Sequence, residues 1–339
     1  MIGGKMKFFK YGIWLTLIFC FSCVGMIKSG MYSMNFPSTF SPDNKYLACI
    51  NGKNILIFHT GNWKLFRRLK YHKDIVHHIA FLPRGDLLVS SGWDSKLVFW
   101  NTRTWQVEQQ YDGVGKGHIT VSPDGAYLAL EKYSGMLAGD DTFPARVFHL
   151  YPALSMKKIF SDARFQQIAF APGSDYLVSL DDDGKLIKMS LPDFKVKRIF
   201  TLPDSKFFRM RFINSDEILV QYSRGTFSFS HEMIVFNVKT GRIRSRFDME
   251  KFDFSSRYLT FFMEVLENDN VLLSNSDRLI IYNLAERKIL RKMITEDNIY
   301  MGSINNEYLV INTYSSSGKG RVLIYRMDNL TKIQELAIH

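Results

Sequence analysis

The feature that most constrains the fold of this chain is a unit of about 40 residues that recurs along it. Its clearest copy, residues 70–102, contains short stretches rich in Val, Leu and aromatic residues, such as Leu87–Ser91 and Lys96–Trp100. Gly, Pro, Asp and Ser bound these stretches, which is typical of β-strands and turns. No apolar spacing of three and four residues is long enough to predict a helix. A single such unit cannot bury both faces of its sheet, so we expect it to stack against copies of itself.

Seven copies align on the turn after the first strand and on the residue that ends the third strand. That residue is aromatic in six copies and Met189 in the fourth. A period of about 40 residues is typical of four-stranded propeller blades. The sequence therefore predicts an all-β, seven-bladed propeller with antiparallel blades over residues 36–339. Two ways of closing the ring stay open, because residues 333–337 can form the fourth strand of the last blade or residues 31–36 can pair with that blade.

His72, Asp94 and Trp100 occupy three marker positions of the second copy. This copy resembles a WD repeat, and the resemblance to that superfamily extends from about residue 36 to the end of the chain. The resemblance implies that the three residues form a buried hydrogen-bonded network with a structural role. A buried His needs partners for both ring nitrogens, because an unpaired polar group is costly in a sheet. Gly92 stands where the resemblance implies a Ser, so one member of the network is expected to be missing.

The first residues have the layout of a secretory signal. Lys5, Lys7 and Lys10 precede an uncharged apolar stretch at residues 11–27. We predict a signal peptide or a lipoprotein or membrane anchor at residues 1–25, and a linker or closing strand at residues 26–35. Three fates stay open, namely export after cleavage, lipid attachment at Cys23, and retention as a membrane anchor. Each predicts an exported protein (periplasmic, cell-envelope or extracellular) or a membrane-tethered one.

Composition narrows the classes of partner. The chain has 339 residues, a net charge of +11 and three Cys, of which Cys20 and Cys23 lie in the leader. Disulfides are therefore not expected to support the fold, and Cys49 is expected to be a small buried residue. The basic residues look scattered, which predicts a solvated surface. We expect a protein or cell-envelope component as partner, with an acidic membrane surface as a further candidate, no nucleic acid and a monomeric state.

Long connections indicate where that partner binds. In an antiparallel blade, the loop between strands two and three lies on the same face as the loop to the next blade. The longest connections all belong to these two classes, and insertions on one face of a repeat protein indicate a binding face. The candidate residues on this face are His118, Phe143, Arg224, Phe227, Phe252, Phe254, Arg257 and Tyr258.

Residues that suggest other chemistry have simpler interpretations. Residues 181–184, Asp-Asp-Asp-Gly, lack the ligand spacing of a calcium loop and predict a turn. His77 and His78 are expected to point to opposite faces of one strand, so they cannot share a metal. The glycine-rich residues 113–118 lack the strand-to-helix context of a phosphate loop. We predict no catalytic residue, no metal and no cofactor.

The sequence predicts a non-enzymatic exported or membrane-tethered propeller that acts as a protein-interaction scaffold. One alternative is a propeller enzyme, a metal-dependent lactonase or hydrolase with its site at the central channel, for which His118 and Asp204 are the nearest candidates. Another is an intracellular scaffold held by an uncleaved anchor.

Overall fold

Seven four-stranded antiparallel sheets follow one another along the chain, as the sequence predicts. The computed structural model describes residues 38–114, 116–131, 145–150, 157–162, 165–181, 184–202, 205–224, 231–248, 262–274, 277–296, 298–314 and 320–337. Each sheet is built from four consecutive strands and is one blade. The strands of blades 1 to 4 are β1 (Ser38–Phe40), β2 (Tyr46–Asn51), β3 (Asn54–His59), β4 (Lys64–Lys70), β5 (Val76–Phe81), β6 (Leu87–Gly92), β7 (Leu97–Asn101), β8 (Val107–Tyr111), β9 (Ile119–Val121), β10 (Tyr127–Leu130), β11 (Ala145–His149), β12 (Lys157–Asp162), β13 (Phe165–Phe170), β14 (Tyr176–Asp181), β15 (Lys185–Ser190) and β16 (Val196–Thr201). Those of blades 5 to 7 are β17 (Ser205–Phe212), β18 (Glu217–Arg224), β19 (His231–Asn237), β20 (Arg242–Asp248), β21 (Phe262–Val265), β22 (Asn270–Ser274), β23 (Arg278–Asn283), β24 (Lys288–Ile294), β25 (Asn298–Ile304), β26 (Tyr308–Tyr314), β27 (Gly320–Arg326) and β28 (Lys332–Ala337).

The blades form a ring because each sheet buries both faces against its neighbours. Seven hydrophobic clusters lie between consecutive blades, and the last of them joins blade 7 back to blade 1. The second and third strands carry most of this core; for example, every residue of β6 is buried. The first strands contact one another around a central channel. The fourth strands form the outside of the ring and are largely exposed.

A β-bulge recurs in the fourth strand of every blade. In blade 1, Ile57 pairs with Arg67 and Phe58 with Leu65, so Phe66 is the extra residue. The same shift occurs between the third and fourth strands of the other six blades. A bulge bends and twists its strand, and its repetition shows that the seven units share one local geometry.

The turn before the bulge repeats as well. A residue at or next to its end has a left-handed backbone in six blades, at Trp63, Trp105, Phe194, Gly241, Arg287 and Leu330. Only one of these residues is a Gly, so the other five accept a strain of about 1–2 kcal/mol each. The turn is therefore fixed by the blade geometry rather than by its residue type.

The last blade uses its own fourth strand, since β28 pairs with β27. Within the described residues, blade 1 meets blade 7 through side chains. Ser38 Oγ lies 3.0 Å from Ser303 Oγ, and Asn312 Nδ2 donates to Ser38 Oγ at 3.1 Å. Val310 and Leu336 of blade 7 share one apolar cluster with residues of blade 1. Residues 31–36, the alternative closing strand, lie outside the described residues, as do the predicted leader and linker.

Two strands are longer than the sequence pattern suggests. The first strand of blade 5 begins at Ser205 and that of blade 7 at Asn298, whereas the aligned copies begin at Met210 and Gly302. Bulges shift the register of both strands, between Phe207 and Arg209 and between Ile299 and Met301. Such a bulge interrupts the alternation by which a strand is read from sequence. None of the described residues forms a helix long and apolar enough to cross a membrane.

Candidate functional site

The marker residues of blade 2 meet in one buried network. His72 Nδ1 lies 3.0 Å from Asp94 Oδ1, and His72 Nε2 lies 2.8 Å from Ser90 Oγ. Trp100 Nε1 donates to the same Ser90 hydroxyl at 2.9 Å. Both ring nitrogens of His72 therefore have partners, as a buried His requires.

The expectation that this network lacks a member is wrong. The resemblance to a WD repeat implies a Ser at position 92. Ser90, four residues before Asp94, supplies that hydroxyl instead. Gly92 has no room for a side chain, because a Cβ there would lie 2.6 Å from both Asp94 Oδ1 and His72 Nδ1. Burial lowers the pKa of His72, with Asp94 acting against it. The network thus joins two strands, β6 and β7, to the turn between them and to the segment before the blade, and it keeps the imidazole buried.

Most of the predicted partner face lies outside the described residues. This holds for Phe143, Phe227, Phe252, Phe254, Arg257 and Tyr258, and also for Cys23. Arg224 ends β18, and the structure describes its backbone only. His118 is described, and it lies in the central channel just before β9. The strand ends that flank the long connections are all on the face where the first strands begin.

Polar and charged side chains of five blades line the central channel. We call this set the channel mouth; it opens into a cavity of about 570 Å³, and its members are His77, His78, His118, Glu131, Gln167, Arg209, Arg211 and Glu264. Seven of them lie on or just before a first strand. Glu131 directly follows the second strand β10 and reaches the next blade, where it accepts a hydrogen bond from the backbone N–H of Ile168 at 3.3 Å.

Three His rings pack together on one side of the mouth. The ring centroid of His118 is 4.8 Å from that of His77 and 5.0 Å from that of His78. The prediction that His77 and His78 point to opposite faces is therefore not met, because His77 is the extra residue of a bulge between Val76 and His78. Burial lowers the pKa of His77 to about 4 and, with the charges of His77 and Arg211, that of His78 to about 3.

Two Arg and two Glu side chains complete the set. Arg209 and Arg211 project from β17, and Arg211 Nη2 lies 3.5 Å from Glu264 Oε1. Burial and the charge of Arg211 lower the pKa of Arg209 to about 10. Burial raises the pKa of Glu131 to about 7 against the opposing effect of both Arg residues. The mouth therefore combines two guanidinium groups with two carboxyl groups, of which Glu131 holds its proton more strongly than an ordinary Glu.

One buried amide beside the mouth has no partner. Gln221 is fully buried on β18 and lies opposite Arg209 in the strand register. Among the described residues, neither its Oε1 nor its Nε2 has a hydrogen bond. An unpaired buried amide costs about 1–3 kcal/mol, so this part of the site tolerates an energetic cost.

Sequence reasoning found only His118 among these residues as a member of a binding face. Glu131, Arg209, Arg211 and Glu264 were not predicted, and Arg209 alone falls outside the first strand as the aligned copies place it, because the copy in blade 5 begins at Met210. A usable signal was present, since charged residues interrupt inner strands that are otherwise apolar. Within the described residues, no three His, Cys, Asp or Glu side chains form a group able to hold a metal ion.

Comparison with known proteins agrees with this architecture. The family model described as "WD domain, G-beta repeat" matches residues 63–101. The chain is 30% identical to Protein hir1 of Schizosaccharomyces pombe over 115 residues, which are 27% of this chain and 12% of that protein. It is 23% identical to WD repeat-containing protein 75 of Mus musculus over 201 residues, which are 54% of this chain and 23% of that protein. The chain therefore matches only a small part of these relatives.

Solved structures show the same fold at low identity. The propeller domain of Cps50 (Swd1) from Myceliophteria thermophila has a TM-score of 0.68 and 11% identity, covering 87% of this chain and 98% of that chain. Hydrazine synthase of Kuenenia stuttgartiensis has a TM-score of 0.69 and 12% identity, covering 88% of this chain and 97% of that one. These likenesses concern the fold, whereas the match at residues 63–101 falls on the blade with the His72 network. The chain therefore has a β-propeller fold and resembles WD-repeat proteins, most clearly in its second blade, where residues 63–101 match the repeat model.

Proposed function

We propose that the protein is a non-enzymatic scaffold that docks a protein partner over the channel mouth. WD-repeat propellers typically serve as protein-interaction modules, so the fold supports this class of function. The single observation that carries the proposal is the channel mouth itself, where five blades place charged and polar side chains around one cavity. The longest connections of the chain leave the face where the first strands begin, at one end of this channel.

The chemistry of the mouth favours an acidic group on the partner. Arg209 and Arg211 lie two residues apart on one strand, and Glu264 lies 3.5 Å from Arg211 while its charge also acts on Arg209. Guanidinium groups form strong paired hydrogen bonds with carboxylates. We therefore expect the partner to place an Asp or Glu side chain, or a chain terminus, in the mouth. The predicted face residues Phe143, Phe227, Phe252, Phe254, Arg257 and Tyr258 would then contact the surrounding partner surface.

Capture of a partner tests this proposal. The full chain serves as bait in a cell-envelope extract of its host, with chemical crosslinking and mass spectrometry. We expect the double variant Arg209→Gln/Arg211→Gln to reduce capture at least tenfold, which corresponds to about 1.4 kcal/mol. The control is Arg103→Gln, an exposed Arg in the turn between β7 and β8 on the opposite face. Equal capture by both variants, with unchanged thermal unfolding, would remove the proposal.

A propeller hydrolase remains the alternative function, and one observation favours it. Glu131 has a pKa of about 7, which suits a general acid or base at neutral pH. A screen of lactones and esters with added divalent metals separates the two functions. Turnover that is lost in Glu131→Gln would establish the enzyme, whereas capture that depends on Arg209 and Arg211 supports the scaffold.

We further propose that residues 1–25 direct the protein out of the cytoplasm or tether it to a membrane. The basic start and the apolar stretch at residues 11–27 support this. N-terminal sequencing of the protein from its host distinguishes cleavage near residue 25, a modified Cys23 and an intact leader. An intact leader on a protein found inside the cell would favour the anchored intracellular scaffold instead.

A further inference from the structure

The outside of the ring concentrates the positive charge of the chain. We call the seven fourth strands the outer wall; they are β4, β8, β12, β16, β20, β24 and β28. They contain 15 Lys or Arg residues and 4 Asp or Glu residues, an excess as large as the net charge of +11 of the whole chain. The expectation that the basic residues are scattered is therefore wrong. The repeat hides this concentration, because the seven strands are far apart in sequence but all lie on the outside of the ring.

The outer wall also carries nearly all the exposed large apolar side chains. Nine such side chains occur among the described residues, and eight of them lie on fourth strands. The ninth, Tyr71, directly follows β4. The eight are Leu65, Phe66, Val196, Ile199, Ile289, Leu290, Ile294 and Ile333.

These apolar residues are concentrated on three consecutive blades. The extra residue of the fourth-strand bulge is Leu290 in blade 6, Ile333 in blade 7 and Phe66 in blade 1, and these are 42%, 38% and 43% exposed. In blades 2, 4 and 5 the same position holds Glu108, Lys197 and Arg244. Equivalent positions of a repeat lie at the same height around a ring. The extra residue of blade 3 is Ile159, and blade 3 is not a neighbour of blades 6, 7 and 1. The apolar bulges of these three consecutive blades therefore form one band, which we call the apolar arc.

Cations flank every part of the apolar arc. Phe66 is followed by Arg67 and Arg68, Leu290 by Arg291 and Lys292, and Ile333 is preceded by Lys332; all five are exposed. The nearby carboxylates already have partners. Glu286 lies 2.7 Å from Lys288 Nζ, and Glu335 lies 3.3 Å from both Arg321 and Lys332.

We infer that the apolar arc binds the surface of an anionic lipid bilayer. A surface that alternates aliphatic or aromatic side chains with Lys and Arg suits the interface of such a bilayer, where apolar groups enter the boundary region and cations meet the headgroups. Charges alone would keep the edge strands from pairing with other sheets. The apolar side chains do not serve that purpose; Phe66 packs on Tyr46 and Trp105, but 43% of it is still exposed. This inference concerns the outside of the ring and does not depend on docking at the channel mouth.

Vesicle binding by the full chain tests the inference. The probes are vesicles of phosphatidylcholine with about 30% phosphatidylglycerol, and vesicles of phosphatidylcholine alone. Each basic residue near an anionic surface contributes about 1 kcal/mol to binding. The test variant therefore combines four charge reversals, Arg67→Glu, Arg68→Glu, Arg291→Glu and Lys292→Glu. We expect it to lower the partition coefficient on anionic vesicles at least tenfold. Leu290→Ser/Ile333→Ser should also lower it. The control Lys195→Glu/Lys197→Glu makes charge reversals on blade 4 and should change it less than twofold.

A second measurement covers the case in which the leader holds every variant on the vesicles. Hydrogen–deuterium exchange of the bound protein should show protection of β24, β28 and β4 by anionic vesicles, with no change in β20. Protection that is equal around the ring, or absent from the three strands, would overturn the inference. So would binding to an acidic protein such as polyglutamate combined with no preference for anionic vesicles.

Discussion

Single polar side chains hold together parts of this ring that are distant in sequence. Ser90 is the clearest case, because its hydroxyl accepts from Trp100 Nε1 while also bonding His72 Nε2. Removing it leaves two buried groups without a partner, at about 1–3 kcal/mol each. We expect Ser90→Ala to lower the free energy of unfolding by about 3 kcal/mol in urea titrations.

The matched control is Ser179→Ala at the equivalent position of blade 4. Ser179 is also fully buried, and its hydroxyl has no partner among the described residues. Its removal should leave stability unchanged or slightly higher. Equal losses in the two variants would mean that the hydroxyl of Ser90 does not support the network.

The channel His residues predict how stability depends on pH. Burial lowers the pKa of His77 to about 4, whereas an unfolded His titrates near 6.5. The unfolded chain therefore binds a proton that the folded chain does not, and stability is lost as pH falls from about 6.5 towards 4. His78 and His118 act in the same direction, and Glu131, whose pKa is raised, acts in the opposite one.

Replacing His77 isolates its share of this effect. We expect His77→Gln to reduce the slope of unfolding free energy against pH by about 1.4 kcal/mol per pH unit near pH 5. Urea titrations between pH 4.5 and 7 measure that slope, which is informative even if the variant is less stable overall. Identical slopes in the two proteins would show that His77 takes up its proton without unfolding.

At the scale of single strands, the approach of β9 to β10 depends on Gly117. A Cβ at this position would lie 2.0 Å from the backbone oxygen of Glu131, which cannot move without its strand. We expect Gly117→Ala to lower the unfolding free energy by more than about 2 kcal/mol, as overpacking does. Gly113→Ala is the control, because it meets only the strain of a positive φ and no atom within 4 Å. A smaller loss at Gly117 than at Gly113 would contradict this view of the strand contact.

How well a strand could be predicted depends on whether a bulge interrupts its pattern of apolar and polar residues. Second and third strands such as β6 and β7 are continuous apolar runs between turn residues, so the sequence marks them clearly. The bulges at His77 and before Arg209 break the alternation. For that reason the grouping of His77 with His78 and the placing of Arg209 at the channel were not predictable. The role of Ser90 was missed because it depends on which hydroxyl faces His72 across the blade.

At the scale of the whole molecule, each blade is built from one contiguous segment of the chain. The chain could therefore begin at any blade without dividing a sheet. Residue 38 begins a first strand and residue 337 ends a fourth strand, so both ends are on the same face of adjacent blades. A circular permutant that joins these ends by a short linker and opens between Leu202 and Ser205 keeps all seven sheets intact. We expect its midpoint of thermal unfolding to stay within about 5 °C of the original, a change of roughly 1 kcal/mol or less.

A second permutant, opened between Asp181 and Gly184, divides blade 4 between the two ends. It should unfold at a clearly lower temperature or fold poorly, because a split blade must be assembled from distant segments. If the two permutants behaved alike, the blade would not be the unit in which this ring folds.

The junction between blades 1 and 7 differs from the other six in one respect. Every other pair of neighbouring blades is also linked by the polypeptide itself, whereas this pair is held by packing and side-chain hydrogen bonds within the described residues. Separating the sheets of blades 1 and 7 breaks no backbone hydrogen bond between paired β-strands. Thermal fluctuations should therefore widen the ring first along this seam, letting solvent reach the inner faces there while the remaining six interfaces stay closed.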